Sequence, residues 1–215
     1  REVYDMCDRA YAYVQQLDEE YSNWLCIPKS IRMTSIKPSG TVSLLNGSTP
    51  GIHYPEHEYY IRRIRFSKTS KLLDKLEKAG YYIEDDEYSP NTSVVEFPVH
   101  EAHFSKGKKD VSMWEQLETA AQYQHYWADN SVSVTVTFKG SEAEQIKTAL
   151  ELYETRLKAV SFLKYEETGY KQAPYEPITK EKYEETIKNI TPLKRFDDHE
   201  GGSGTKFCTN DTCTI

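Results

Sequence analysis

Two short stretches of this 215-residue chain carry side chains whose types and spacing suit chemistry. One lies at the C-terminal end, where Gly201-Gly202-Ser203-Gly204 precedes Cys208 and Cys213. Terminal residues with glycine and polar neighbours are normally mobile, so no packing requirement accounts for two thiols there. Two cysteines on a glycine-rich arm suit a carrier that moves electrons by thiol–disulfide exchange. The plainer reading is a pair of unpaired tail cysteines, and spacing alone leaves both open. The second stretch is Ile36-Lys37-Pro38-Ser39-Gly40-Thr41-Val42-Ser43, which reads as a strand, a glycine turn and a helix start, in that order. Such a junction exposes backbone N–H groups and the positive end of a helix dipole, which together hold phosphate. Ser39, Thr41 and Ser43 add hydroxyls, and Gly40 lets an anion approach the backbone. The Walker A spacing is absent, and Ser- and Gly-rich strand-to-helix turns also occur without a ligand.

These stretches need elements to position them. Val3, Cys7, Ala10, Val14, Leu17 and Tyr21 recur at steps of four and three, so 1–22 reads as an amphipathic helix. A strand is expected at 31–37 and a helical turn at 41–46, followed by a loop over 47–55 with two prolines and two glycines. Residues 60–66 read as a strand with Ile61 and Ile64 inward and the arginines outward. Leu72, Leu73, Leu76 and Ala79 mark a helix that Gly80 ends as a left-handed cap. Val95, Phe97 and Val99 alternate along a strand at 93–99. Ser112 and Glu115 form a capping box for a helix reaching 128. Val132, Val134, Val136 and Phe138 share one face of a strand at 131–138. Ser141 and Glu144 open a helix with Ile146, Leu150, Tyr153, Leu157 and Val160 on one face. A last short helix covers 180–190. Alternating strands and helices favour an α/β architecture with part of its sheet parallel. The expected organisation is a compact domain over 1–193 and a flexible tail over 194–215.

Composition narrows the function class. Apolar residues make up 38% and charged residues 28%, which suits a globular protein with a polar surface. The net charge of −7 is spread along the chain, which argues against direct nucleic-acid binding. The 17 tyrosines are expected to pack half-buried with their hydroxyls in water. No apolar run is long enough to span a membrane and no signal-peptide pattern is present, so a cytoplasmic location is expected. A helical pattern is already running at Arg1, which reads as a fragment of a longer protein.

The wider string from Lys37 to His53 is Lys-Pro-Ser-Gly-Thr-Val-Ser-Leu-Leu-Asn-Gly-Ser-Thr-Pro-Gly-Ile-His. With the following Tyr59-Tyr60-Ile61-Arg62-Arg63-Ile64-Arg65, it resembles the adenosylcobalamin-dependent (class II) ribonucleotide reductases, most closely the monomeric type acting on ribonucleoside triphosphates. The resemblance continues through Asp129-Asn130-Ser131-Val132-Ser133-Val134, through Gly169-Tyr170-Lys171-Gln172-Ala173-Pro174-Tyr175-Glu176, and into the two-cysteine end. It implies the C-terminal part of a ten-stranded α/β barrel, with 131–138 as a late barrel strand. It implies that Pro38, Ser39, Gly40, Thr41 and Ser43 hold the phosphates of a ribonucleoside triphosphate, with Gly51 and Ile52 beside the nucleotide. It further implies that Cys208 and Cys213 re-reduce an active-site disulfide and are themselves reduced by thioredoxin or a similar dithiol. Adenosylcobalamin is the implied cofactor of the complete enzyme, without assigned residues in this chain.

The family's radical cysteine sits in an Asn-x-Cys-x-Glu loop, which this sequence lacks. Cys7 and Cys26 both read as small buried residues. The fragment alone is therefore expected to be inactive. Neighbouring His53, His57, His100 and His103 match no zinc spacing, and His199 with Cys208 and Cys213 offers three ligands at most. The pairs Tyr59-Tyr60 and Tyr81-Tyr82 read as packing residues, and 106–109 as a solvated loop. Two rival readings are a class I reductase large-subunit fragment, which shares the barrel and cysteine tail, and a non-catalytic phosphate-ligand binding domain.

Overall fold

A computed structural model of the chain describes residues 1–39, 43, 47–165 and 171–193. These fall into two units interleaved along the sequence, 1–54 with 108–165 and 55–107 with 171–193. Gly40, Thr41, Cys208 and Cys213 lie outside the described residues, as do most of the expected helical turn at 41–46 and the expected tail at 194–215.

The first unit opens with α1 (Glu2–Leu25), whose three–four stripe is partly buried in its middle, at Cys7, Ala10, Val14 and Leu17. Val3 and Tyr21, at its ends, are exposed. The helix stops at Cys26, which adopts the left-handed conformation (φ 53°) and returns its N–H to Asn23. Cys26 is exposed, contrary to the expectation of a buried thiol, because it sits at a helix end that no other element covers; Cys7 is buried. Helix α3 (Met113–Tyr126) packs beside strand β4 (Thr135–Phe138), and helix α4 (Ile146–Tyr153) leads on to strand β5 (Ser161–Lys164). β4 and β5 pair in parallel, with Val136 opposite Phe162. A further parallel bridge joins Ile36 to Val132, so three extended segments run the same way. Val132, Val134, Val136, Leu117, Ala120, Ala121 and Ala149 close the core under them.

Ser112 caps α3 as its spacing predicts, its hydroxyl accepting from the Glu115 N–H at 3.1 Å. The helix expected from Ser141 to Val160 is shorter than its pattern. Residues Gly140–Gln145 form a 3₁₀ turn, and Glu142 takes the capping role by accepting from the N–H groups of Lys139 (2.8 Å) and Met113 (3.0 Å). After Tyr153 the chain must turn back to reach β5, so Leu157 and Val160 join the core from a turn instead of a helix face.

The second unit is an antiparallel sheet in the order β2-β3-β1-β6, made of β1 (Tyr59–Ser67), β2 (Ile83–Asp85), β3 (Thr92–His100) and β6 (Tyr175–Pro177). Pro98 is tolerated inside β3 because its nitrogen faces the side where β2 has already ended; Glu96, two residues earlier on that side, still donates to the Tyr82 carbonyl. Helix α2 (Leu72–Lys78) ends at Gly80 (φ 91°), where any side chain would collide with the Asn189 carbonyl oxygen. Thr191 then donates to the Ala79 carbonyl at 2.8 Å. Helix α5 (Lys180–Lys188) lays Tyr183 against Tyr59, which stacks on His100 with ring centroids 4.4 Å apart. Tyr60 is fully buried and donates to Glu101 at 2.9 Å. Burial and that carboxylate both push its phenol pKa upward, so it stays neutral.

Arg65 is exposed as the alternation suggests, but Arg62 and Arg63 are partly buried. The Arg63 side chain is 11% exposed, and pairs with Glu96 (2.6 Å) and Glu176 while donating to the Ala173 carbonyl at 3.1 Å. Arg62 donates to the Pro174 carbonyl and lies over the Tyr175 ring at 4.4 Å. Arg65 pairs with the buried Asp86 and reaches the Gln172 carbonyl. Together the three arginines fasten 172–176 beside β1. Replacing Arg63 with Met leaves two carboxylates facing an uncharged neighbour. We expect a loss of about 2–3 kcal/mol, below the fully buried range because Glu176 is half exposed. Guanidinium unfolding of the chain measures it, and Glu96→Gln in the same background should recover part of the loss.

Candidate functional site

The expected phosphate turn follows the segment 33–37, which among the described residues makes a single bridge to a neighbouring strand. An extended segment with few ladder partners needs side chains to satisfy its backbone. Asp129 and Asn130 supply them. The Asp129 carboxylate accepts from the Met33 N–H at 2.9 Å and from the Tyr11 hydroxyl at 2.6 Å. The Thr34 hydroxyl donates to the Trp127 carbonyl and accepts from the Asp129 N–H at 3.0 Å. The Thr34 carbonyl accepts from both the backbone and side-chain N–H of Asn130, at 3.1 and 3.2 Å. Ser133 donates to the Ile36 carbonyl at 3.0 Å. Hydrogen bonds from Met33 and Tyr11 hold the Asp129 carboxyl below its usual range, helped by the Thr34 and Lys158 groups beside it.

Segment 128–137 is also held by two amides from one face of α3. Gln124 donates to the carbonyls of Ala128 (2.7 Å) and Asn130 (2.9 Å) and accepts from the Val132 N–H (3.2 Å). Gln116 donates to the Thr137 carbonyl (2.8 Å) and accepts from its N–H (2.9 Å). The two side chains satisfy backbone groups of 128–137 that the neighbouring segments do not reach. Sequence reasoning missed both; their eight-residue spacing, which puts them on one helix face, was the available signal.

At the C-terminal end of 33–37 the chain enters the expected turn. Pro38 and Ser39 are exposed, and Ser39 adopts φ 35°, unusual for a residue with a side chain. The Ser39 carbonyl accepts from both the N–H (3.3 Å) and the hydroxyl (2.6 Å) of Ser43, the four-residue closure of a first helical turn. The Ser43 hydroxyl is thus engaged with backbone in this state. Gly40 and Thr41, the centre of the turn, lie outside the described residues. Gly51 (φ 56°) lies against the entry to the turn: a Cβ there would stand 2.7 Å from the Lys37 carbonyl oxygen. Ile52 is partly buried against the core of the same unit. Among the expected site residues, Pro38, Ser39, Ser43, Gly51 and Ile52 therefore belong to one unit, at the carboxyl end of a parallel strand. That end is where open α/β sheets bind their ligands. Among the described residues no three His, Cys, Asp or Glu side chains are grouped to hold a metal ion, and no helix is long and apolar enough to cross a membrane.

This fold is that of a segment of a class II ribonucleotide reductase. A crystal structure titled as a B-12 dependent (class II) ribonucleotide reductase matches 89% of the chain with a TM-score of 0.80 at 40% identity, over 27% of its own length. No protein-family model matches the chain. Among curated proteins, the chain is 46% identical over 218 residues to a probable adenosylcobalamin-dependent ribonucleoside-triphosphate reductase of Dictyostelium discoideum. That alignment takes in 98% of the chain and 29% of the relative. It is 44% identical over 215 residues to the enzyme of that name from Euglena gracilis, covering 96% of the chain and 30% of the relative. With the Lactobacillus gasseri protein the identity is 42%, over 88% of the chain and 26% of the relative. Over nearly its whole length the chain is similar to adenosylcobalamin-dependent ribonucleoside-triphosphate reductases, and it spans under a third of the length of the curated relatives it matches.

The Asp129 clamp yields a test with a definite sign. A carboxyl held below its ordinary value of 3.8 contributes stability that is present above that pH and lost as pH falls through the lowered value. Asp129→Asn is expected to cost about 1–2 kcal/mol at neutral pH, since an amide nitrogen cannot accept from Met33 or Tyr11. Thermal unfolding from pH 7 to pH 3 should show the gap between wild type and variant narrowing below the carboxylate range.

Proposed function

We propose that this chain supplies the substrate phosphate-binding turn and the electron-delivery arm of a reductase that converts ribonucleoside triphosphates to 2′-deoxyribonucleotides. The observation that carries the reading is the convergence, in one unit, of the Pro38–Ser43 turn and the Gly51–Ile52 loop at the carboxyl end of a parallel strand. The nucleotide-reductase names of its relatives support the same reading. In this assignment Pro38, Ser39, Gly40, Thr41 and Ser43 cradle the phosphates, and Gly51 and Ile52 flank the nucleotide. The three parallel segments at 34–36, 132–138 and 161–164 are then part of a ten-stranded α/β barrel completed by polypeptide outside this chain.

The relatives are named for adenosylcobalamin, which when bound initiates radical chemistry at the ribose. An open cleft of about 740 Å³ in the first unit has a mixed lining, with Tyr11, Tyr126 and Trp127 beside Asp129 and Arg156, both of which are already paired within the unit, and no residue is assigned to the cofactor.

Cys208 and Cys213 form the electron carrier. Their reduced pair attacks an active-site disulfide, passes two electrons and two protons to it, and becomes a disulfide. A thioredoxin-type dithiol then reduces that disulfide by the same exchange. From Leu193 to Cys208 the chain spans at most roughly 50 Å when extended. The carrier is assigned to the cytoplasm with its reductant.

Two substitutions in the full-length reductase test these assignments separately. Changing Cys208 and Cys213 together to Ser should abolish multiple turnovers with thioredoxin while dithiothreitol still supports activity. Normal thioredoxin-driven turnover would remove the arm from the mechanism. Gly40→Val places a branched side chain where the triphosphate approaches the backbone. Its apparent nucleotide affinity should weaken by about 1.5–3 kcal/mol for each charge-assisted hydrogen bond lost, and unchanged affinity overturns the phosphate turn.

A further inference from the structure

The edge of 133–137 that faces segment 33–37 has three backbone N–H groups in alternate positions. Ser133 donates to the Ile36 carbonyl at 3.0 Å, and Thr137 donates to Gln116 at 2.9 Å. Between them stands Thr135, whose ladder partner would lie beyond Lys37. The chain does not continue there, because it leaves the strand at Pro38 to make the turn. An N–H orphaned in this way needs another acceptor. His53 provides it: its Nε2 accepts from the Thr135 N–H at 3.0 Å.

That bond fixes the rest of the ring. A backbone N–H only donates, so Nε2 carries no proton and Nδ1 must carry one. Nδ1 lies 2.8 Å from the Pro50 carbonyl and donates to it, and the His53 N–H donates to the same oxygen at 3.0 Å. One imidazole therefore closes the Pro50–His53 turn on itself and pins that turn to β4. Gly51, inside the closed turn, presses on the Lys37 carbonyl where the phosphate turn begins. The excursion that starts at Pro38 and ends at His53 thus has both feet on adjacent positions of the same strand edge, Ser133 and Thr135.

We propose that His53 is the positioning residue of the nucleotide site. In its neutral, Nδ1-protonated form it holds the Thr49–His53 loop against the root of the phosphate turn, without touching the substrate. This role rests on the phosphate-turn assignment made above. It predicts that the loss of the imidazole is read in nucleotide binding and leaves the chemical step intact.

The test uses the full-length reductase with a ribonucleoside triphosphate, thioredoxin and adenosylcobalamin, and compares His53→Leu, His53→Gln and Gly40→Val. His53→Leu leaves the Thr135 N–H without an acceptor. Its KM for nucleotide should rise roughly tenfold, the factor expected for one unsatisfied buried donor, with kcat kept within about twofold. In His53→Gln the side-chain oxygen reaches the same N–H, so KM should return most of the way to wild type. Equilibrium binding of the triphosphate to each variant gives a readout independent of turnover. A His53→Leu enzyme with wild-type KM and affinity overturns the proposal. So does a His53→Gln enzyme as impaired as His53→Leu, or a loss confined to kcat. If Gly40→Val weakens binding and His53→Leu does not, only the role of His53 fails. If Gly40→Val is also without effect, the phosphate turn itself is misassigned.

Discussion

Backbone hydrogen bonding along one stretch of extended chain governs the first unit. Segment 33–37 has to run beside 128–137 to deliver Pro38 and Ser39 to the end of the sheet, yet the two share a single strand bridge. Side chains make up the difference. Asp129 and Asn130 satisfy 33–34 from one side, while Gln116 and Gln124 satisfy 128–137 from α3. Each of these amides and carboxylates is bound to backbone, so none can relax without leaving a polar group unpaired at a cost of about 1–3 kcal/mol. Segment 33–37 is held by this polar scaffold as well as by Ile36 on the apolar core.

The second unit uses charge where the first uses amides. Its strands come from distant parts of the chain, and β6 contributes only three residues to the sheet. A strand that short gains little from its ladder, so the arginines of β1 hold the neighbouring 172–176 segment through carbonyls, carboxylates and the Tyr175 ring. The guanidinium suits this task because its fork of donors serves an acid and a carbonyl at once.

Local pattern made some of this legible in the sequence and left the rest hidden. The Ser112 cap, the alternating valines of 132–136 and the left-handed Gly80 each follow from a short-range rule, and each is where that rule puts it. The family was legible from the string around Pro-Ser-Gly-Thr, and the fold match agrees with that resemblance. Long-range satisfaction was not legible. Alternation turned Arg63 outward, because nothing near it in sequence announces Glu176 or the Ala173 carbonyl. Periodicity extended the helix after Ser141 too far in both directions, because Glu142 is recruited by Met113 and the chain must turn back toward β5. Cys26 looked like a core residue from its apolar neighbours Leu25 and Ile27, which are themselves exposed. β2, β5 and β6 carry three or four residues each, too few to show a period. His53 was weighed only as a metal ligand and set aside on spacing, and nothing local announces that its ring nitrogens are committed to Pro50 and Thr135.

The interleaving of the two units has a consequence for how the chain is made. Residues 1–54 emerge from a ribosome well before β4 and β5, and β1 emerges 110 residues ahead of the Ala173 carbonyl that Arg63 must find. At a synthesis rate of roughly 5–20 residues per second, that arginine waits several seconds or longer with its partners not yet polymerised. The first unit cannot close before β5 at 161–164 has been translated, nor the second before β6 at 175–177. The nascent chain therefore carries an open sheet edge at β1 for that interval, a surface on which a chaperone, or another copy of the nascent chain, can pair.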